Sequence, residues 1–237
     1  MAGPVIITRA EPGNDETAGR LSQAGLPFIC APMLALTPTG AALAPLEDVQ
    51  GLLFTSANGV RAFCEASARR DLTAWCVGPA TLKAAQLAGF TTCEHGDGNS
   101  EDLANLVIAK ARADAGKLIH VANAAAAGQL AQRLGGAGFS VEFAPLYAAN
   151  RVKTLPFEAE KALGGEACCV VLVHSAKGAE AFGSASRHLD MARHTLVAVS
   201  QAAGLPLRAR SFSQTLSADR PNEAALMDAL FRAYSTL

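Results

Sequence analysis

Only two tyrosines occur among the 237 residues, and one of them, Tyr147, closes the apolar stretch SVEFAP (140–145) and Leu146. A phenol placed there can donate a proton to a departing group, or it can pack its ring and leave its hydroxyl to water. Small polar residues gather at comparable places elsewhere, each after a short apolar run and before a helical pattern. They are Thr8–Arg9, Thr55–Ser56–Ala57–Asn58, Gly78–Pro79–Ala80–Thr81, Asn123, His174–Ser175–Ala176–Lys177 and Ser200–Gln201. Serine or threonine beside the unpaired N–H groups of a helix start makes an anion site that needs no lysine. The same residues are what any helix start selects as caps. The recurrence of one loop, S-A-[NK]-G, at 56–59 and 175–178 brings the two readings level. Several such ends lining one cleft would suit a ligand that carries many carboxylates.

Other chemistries find no support in the spacing. The five histidines (His95, His120, His174, His188 and His194) show neither H-E-x-x-H spacing nor a cysteine partner, so no metal site is expected. No G-x-S-x-G elbow points to a hydrolase. TRAEPGND, after the first apolar run, is a poor dinucleotide turn, and the glycines at 135–138 read as a helix stop. Gly96–Ser100 can cap a helix, but Glu101 and Asp102 in its first turn repel an anion. The six cysteines form no C-x-x-C and read as buried thiols of a reducing cytosol. A formal net charge of −1 leaves no basic surplus for nucleic acid. Arg9, Glu11, Asp15 and Glu16 interrupt any secretory signal, and no run approaches the ~20 apolar residues of a membrane span. The expectation is a cytoplasmic protein that needs no cofactor.

The elements that must position these residues follow a βα grammar. Strands are expected at 5–9, 27–32, 51–56, 74–78, 91–95, 117–122, 140–145, 167–175, 195–200 and 208–213. Helices are expected at 15–24, 58–68, 80–88, 100–113, 126–136, 157–163, 177–186 and 222–235, with a shorter helical turn after 200. Asn14 is the expected N-cap of the first helix, and Gly25 its left-handed stop. Residues 36–48 read as a crossover. With a hydrophobic fraction of 50% and few aromatics, the chain can build close-packed parallel sheets.

The chain also repeats itself. Residues 5–36 lie without a gap over 118–149, sharing Arg20/Arg133, Leu21/Leu134, Gly25/Gly138 and Pro32/Pro145. Residues 51–63 lie over 170–182, sharing Ser56/Ser175, Gly59/Gly178 and Phe63/Phe182. Such a long period implies two similar domains rather than a solenoid, with a cleft between them as the natural ligand site.

Read in order, the motifs I-T-R (7–9), F-T-S-A-N-G-V-R-A-F (54–63), V-G-P-A-T (77–81) and G-N-S-E-D-L (98–103) resemble the uroporphyrinogen-III synthase family. L-Y (146–147), S-A-K-G-A-E-A-F (175–182) and E-A-A-L-x-x-A-L (223–230) extend the resemblance over nearly the whole chain. It implies a monomer of two flavodoxin-like, open parallel-sheet α/β domains joined by a two-stranded hinge. Domain one would be 1–35 plus 150–237, and domain two 36–149. The implied reaction takes hydroxymethylbilane, expels its terminal hydroxyl as water, inverts ring D through a spiro intermediate and closes the macrocycle. Tyr147 matches the tyrosine proposed to assist that departure. Ser56, Thr81 and Ser175 match cleft residues, and their neighbours Ala57, Asn58, Pro79, Ala80, Ala176 and Lys177 share those loops. Arg9, Asn123 and Ser200 complete the expected lining. The chain departs from the family at Ala122–Asn123–Ala124, where R-G is usual, and at 199–203, where Ala203 replaces a cleft threonine. Two other readings share these features: a cytosolic two-domain ligand-binding module, and a relative that has lost catalysis.

Overall fold

The computed structural model describes residues 2–126 and 128–236. Residue 127, within the helix expected over 126–136, lies outside them, as do residues 1 and 237. In chain order the strands are β1 (Ala2–Ile7), β2 (Phe28–Cys30), β3 (Leu34–Pro38), β4 (Val49–Phe54), β5 (Thr73–Cys76) and β6 (Cys93–His95). They continue with β7 (Lys117–Asn123), β8 (Val141–Arg151), β9 (Cys168–Val173), β10 (Thr195–Ala198) and β11 (Gln214–Ser217). The helices between them are α1 (Gly13–Gln23), α2 (Ala57–Ala66), α3 (Pro79–Leu87), α4 (Ser100–Lys110) and α5 (Gln129–Gly136). After β8 come α6 (Phe157–Gly164), α7 (Ala176–Ala185), the short α8 (Gln201–Gly204) and α9 (Glu223–Tyr234).

Two compact units result: Met1–Leu36 with Ala149–Leu237, and Thr37–Ala148. The first carries a sheet in the order β2-β1-β9-β10-β11, every neighbouring pair parallel. Its central strands β1, β9 and β10 are buried on both faces, so alternate residues feed two cores. Ile6, Val171 and Leu196 enter one, while Val5, Val170 and Val197 enter the other.

The second unit has the order β3-β8-β7-β4-β5-β6, with β8 through β6 parallel. Leu52, Phe54, Ala74 and Ile119 face one core, and Leu53, Trp75 and Leu118 the other. Without β3, this sheet repeats the first with β8, β7, β4, β5 and β6 in the places of β2, β1, β9, β10 and β11. The registers superimpose as well: Ile7 sits opposite Cys30 and Leu172, and its repeat partner His120 opposite Phe143 and Leu53. One sheet plan is therefore threaded twice, entered at β1 in one unit and at β4 in the other. Both are doubly wound, flavodoxin-like α/β sheets.

Four local expectations need correction. Asn14 does not cap α1; the helix starts at Gly13 behind Pro12, and Asn14 is buried in its first turn. The chain already turns helically before it, with Asn14 N–H bonded to the Ala10 carbonyl at 3.2 Å, so Asn14 stands inside the helix rather than at its cap. The strand expected at 208–213 falls instead at Gln214–Ser217, because the Arg210 guanidinium donates to the carbonyls of Gly183, Ser186 and Leu189 and holds that segment as a loop. Residues 34–38, the last three read as crossover, form β3 beside β8. Of the cysteines, only Cys76 and Cys169 are buried; the other four are half-buried, and all six are free thiols. Gly25 is the left-handed stop of α1, at φ +67°.

Candidate active site

Both sheets end, at their carboxyl edges, in serine-capped helices. Ser56 Oγ accepts from Gly59 N–H at 3.3 Å to start α2, and Ser175 Oγ accepts from Gly178 N–H at 3.1 Å to start α7. Ser200 repeats the arrangement on α8, accepting from Ala203 N–H at 3.2 Å. Ala57 and Ala176 are the first residues of α2 and α7. Neither helix has an acidic residue in its first turn, so the positive end of each peptide dipole is left uncompensated. Pro79 and Ala80 lie at the start of α3, with Ala80 exposed and Thr81 buried behind it.

In the second unit the geometry converges on Tyr147. Residues Val121 and Asn123 of β7 sit opposite Ala144 and Tyr147 of β8, so β8 carries one extra residue there. Such a bulge re-aims the side chains beyond it, and Pro145, which has no N–H to give the ladder, lies within it. Tyr147 is 9% exposed, and its hydroxyl lies 2.9 Å from Ser56 Oγ. Asn123 faces it across the ladder, its own Oδ1 accepting from Ala125 N–H at 2.8 Å. Because Ser56 Oγ already accepts from the helix, its own hydrogen is polarised toward an acceptor. When that hydrogen goes to Tyr147, the phenol keeps its proton for another partner. Asn58 accepts from Arg61 at 2.7 Å on the same helix start.

Behind this pair, His120 Nε2 lies 3.3 Å from Thr55 Oγ1. His120 is 3% exposed, and burial pushes its pKa down to about 4. The ring is neutral at physiological pH and serves as a hydrogen-bond partner, not a cation.

In the first unit the corresponding positions carry charge. Arg9 Nη1 meets Glu223 Oε2 at 3.0 Å and Glu16 Oε2 at 3.5 Å. Glu223 also accepts from Thr17 Oγ1 at 2.5 Å and faces His174 Nε2 at 3.3 Å. Burial alone would raise the Glu223 carboxyl, but hydrogen bonds from His174 and Thr17 and the charges of His174 and Arg9 hold it below the usual range. Lys177 Nζ donates to the Ala149 carbonyl. The buried His194 is occupied structurally: its Nδ1 accepts from Cys169 N–H and its Nε2 donates to the Leu163 carbonyl.

Of the residues singled out in the sequence, the structure thus joins Ser56, Tyr147 and Asn123 at one end of the second sheet. Arg9, Ser175, Lys177 and Ser200 lie at the same end of the first. Sequence reasoning missed Glu223, Thr17 and His120 as partners. The one available signal for Glu223 was its place at the head of E-A-A-L, directly after the capping residue Asn222. Among the described residues, no group of three or more His, Cys, Asp or Glu side chains is placed to hold a metal ion, and no helix is long and apolar enough to cross a membrane.

Two flavodoxin-like sheets built on one plan, with hydroxyl-capped helix starts and a buried phenol at a strand bulge, define a two-unit, doubly wound α/β enzyme architecture. The sequence profile of uroporphyrinogen-III synthase HemD matches residues 15–228. The chain belongs to the uroporphyrinogen-III synthase family, whose members are lyases of tetrapyrrole synthesis. Among solved structures it resembles uroporphyrinogen-III synthetase from Helicobacter pylori 26695, with a TM-score of 0.68 and 15% identity over 98% of this chain and 100% of that one. A mutant uroporphyrinogen III synthase from the extremely thermophilic bacterium Thermus thermophilus matches with a TM-score of 0.53 and 17% identity, over 98% and 100% of the two chains. At these identities the likeness is one of fold. No curated protein matches.

Proposed function

We propose that the chain converts hydroxymethylbilane to uroporphyrinogen III, with Tyr147 as the proton donor. The observation that carries this reading is the Ser56–Tyr147 hydrogen bond, 2.9 Å long, beside the bulge in β8. In the proposed step, the Tyr147 Oη proton goes to the terminal hydroxyl as its C–O bond breaks, and water departs. The carbon so released is attacked by the substituted position of ring D, giving the spiro intermediate. The spiro carbon then breaks its original bond to the methylene that leads to ring C, ring D turns over, and its free α carbon bonds to that methylene to close the macrocycle. The hydrogen this carbon loses as the pyrrole becomes aromatic again balances the proton the phenol gave. Ser56 keeps a hydrogen bond on the phenolate oxygen in between.

Most of the task is conformational, because the free bilane can also close without inversion. Holding its two ends together is a proximity effect, worth up to ~7–11 kcal/mol in ideal cases. The helix starts at Ser56, Ser175 and Ser200, with Ala57, Asn58, Pro79, Ala80, Thr81, Asn123, Ala176, Lys177 and Arg9, are the residues assigned to the substrate's carboxylates and pyrroles. The reading takes the protein as a cytoplasmic monomer that acts on a small molecule alone, without metal or cofactor. It is tested by incubating the purified protein with enzymatically generated hydroxymethylbilane and resolving the type I and type III porphyrins after oxidation. An excess of type III is expected. A mixture no richer in type III than the protein-free control overturns the assignment.

A further inference from the structure

The Glu223 carboxylate, to which the chemistry above gives no task, is the hub of a polar cluster around Arg9. It ties together four segments of the first unit: Arg9 after β1, Thr17 on α1, His174 after β9, and its own position at the head of α9. A carboxylate only accepts, so Arg9 Nη1, Thr17 Oγ1 and His174 Nε2 are all donors to it. The Glu223 side chain is 12% exposed and that of Arg9 32%, which sets the carboxylate beneath the guanidinium rather than beside it in solvent. Glu16 also meets Nη1 of Arg9, at 3.5 Å, and is itself held by Arg20 at 3.3 Å.

Both anchors thus grip Nη1. Among the described residues no hydrogen bond engages Nε or Nη2 of Arg9. Those two nitrogens form the side-on edge of a guanidinium, the edge that matches a carboxylate with two parallel hydrogen bonds. Gly13 belongs to the same arrangement, because a Cβ there would stand 2.6 Å from Nε and push the stem aside.

We propose that Glu223, backed by Thr17 and His174, is a positioning residue that holds Arg9 by Nη1 and leaves its Nε–Nη2 edge directed at one carboxylate of the tetrapyrrole. The inference rests on the reading of Arg9 as a substrate-binding residue. It gives the cluster a task in recognition, where a purely structural ion pair would affect only the fold.

The test is a set of steady-state measurements with enzymatically generated hydroxymethylbilane on the wild type, Arg9→Ala, Glu223→Gln, Gly13→Ala and the double variant Arg9→Ala/Glu223→Gln. Glu223→Gln keeps the shape and removes the charge. Gly13→Ala keeps every charge and displaces only the flexible Arg9 side chain. Each is expected to raise KM ~10-fold and to leave kcat within about twofold, as for lost uniform binding through one charge-assisted contact. The double variant should be no worse than Arg9→Ala alone, because Glu223 acts through Arg9. An unchanged KM in both Glu223→Gln and Gly13→Ala, or losses that add in the double variant, overturns the positioning role while type III production stands. A wild type that makes no excess of type III overturns the synthase reading and this role with it.

Discussion

The two units share a sheet plan and a register, yet their carboxyl ends carry opposite kinds of chemistry. Where the first unit has Arg9, His174, Lys177 and Leu34, the repeat places Ala122, Thr55, Asn58 and Tyr147 in the second. The first end is ionic, with a carboxylate hub beneath an arginine. The second is built from hydroxyls around a phenol, with a neutral histidine below. The S-A-x-G loop, with its capping serines Ser56 and Ser175, is common to both. What is retained is therefore what starts a helix, and what has diverged is the charge around it. Fixed positive charge adds to the anion affinity that the helix starts of both units supply.

Acid should separate the units most strongly. The position that is Ile7 in the first unit is His120 in the second, buried and with its pKa pushed down from 6.5 to about 4. Unfolded histidine binds its proton near pH 6.5 while the folded ring resists until about 4, so this contribution is complete above 6.5 and is lost as pH falls through 4. The difference is worth ~3 kcal/mol at most. His194 in the first unit is also held down by burial and adds a slope of the same sign. Denaturant unfolding between pH 7 and about 4.5 should show His120→Gln with a shallower loss than wild type. An unchanged slope would assign the acid sensitivity elsewhere.

Next in size is Tyr147→Phe, which removes one hydroxyl and leaves the ring at the bulge. Turnover should fall ~100-fold or somewhat less, in kcat rather than KM, with the fold intact. A variant that turns over at the wild-type rate makes Tyr147 a packing residue and removes the main contrast between the two ends.

The paired glycines sharpen the comparison within the cores. A Cβ on Gly59 would lie 2.6 Å from the Val121 carbonyl oxygen, so α2 rests on β7 through a residue with no side chain. At its repeat partner Gly178 the nearest atom is Ser175 Oγ, at 3.1 Å. Gly59→Ala should cost ~2 kcal/mol through backbone displacement, and Gly178→Ala much less. Thermal melts of the two variants decide it, and equal shifts would contradict the difference in packing.

The smallest effect distinguishes the serines. Ser175→Ala should cost ~1 kcal/mol as a lost cap and leave kcat near wild type. Ser56→Ala should cost about as much in stability and also slow turnover, because Tyr147 loses its partner. If kcat responds equally to both, the phenol does not depend on Ser56.

Strands buried on both faces announce themselves as apolar runs, so β1, β4, β9 and β10 are legible from the sequence to within a few residues. Edge strands do not. QTLS in β11 and LALTP in β3 are largely half-buried or exposed and carry little apolar signal. The caps at Ser56, Ser175 and Ser200 are legible because capping is local, settled within three residues of the hydroxyl. The ion cluster is not, since Arg9 and Glu223 lie 214 positions apart and meet only once β1 and β9 are neighbours. The bulge beside Tyr147 is intermediate: Pro145 marks it, but the extra residue appears only when β7 is laid alongside.

The two ways of threading one sheet plan also set an order in time. The second unit is one continuous stretch, while the first must join segments separated by all of it. Closing so long a loop in a disordered chain costs ~4 kcal/mol of entropy. Once the inserted stretch has folded, Thr39 N–H is bonded to the Leu146 carbonyl at 3.1 Å, and the loop that the flanking segments must close shrinks to a few residues. The interior of the chain then acts as a clasp for its ends, and a nascent polypeptide reaches that point before β9 has been made. Pulse-labelled hydrogen exchange during refolding should show amides of β4 and β7 protected before those of β1 and β9, and the reverse order would mean that the ends find each other unaided. A substitution that slows the inserted unit should for this reason delay the ionic end of the molecule as well, although it touches none of its residues.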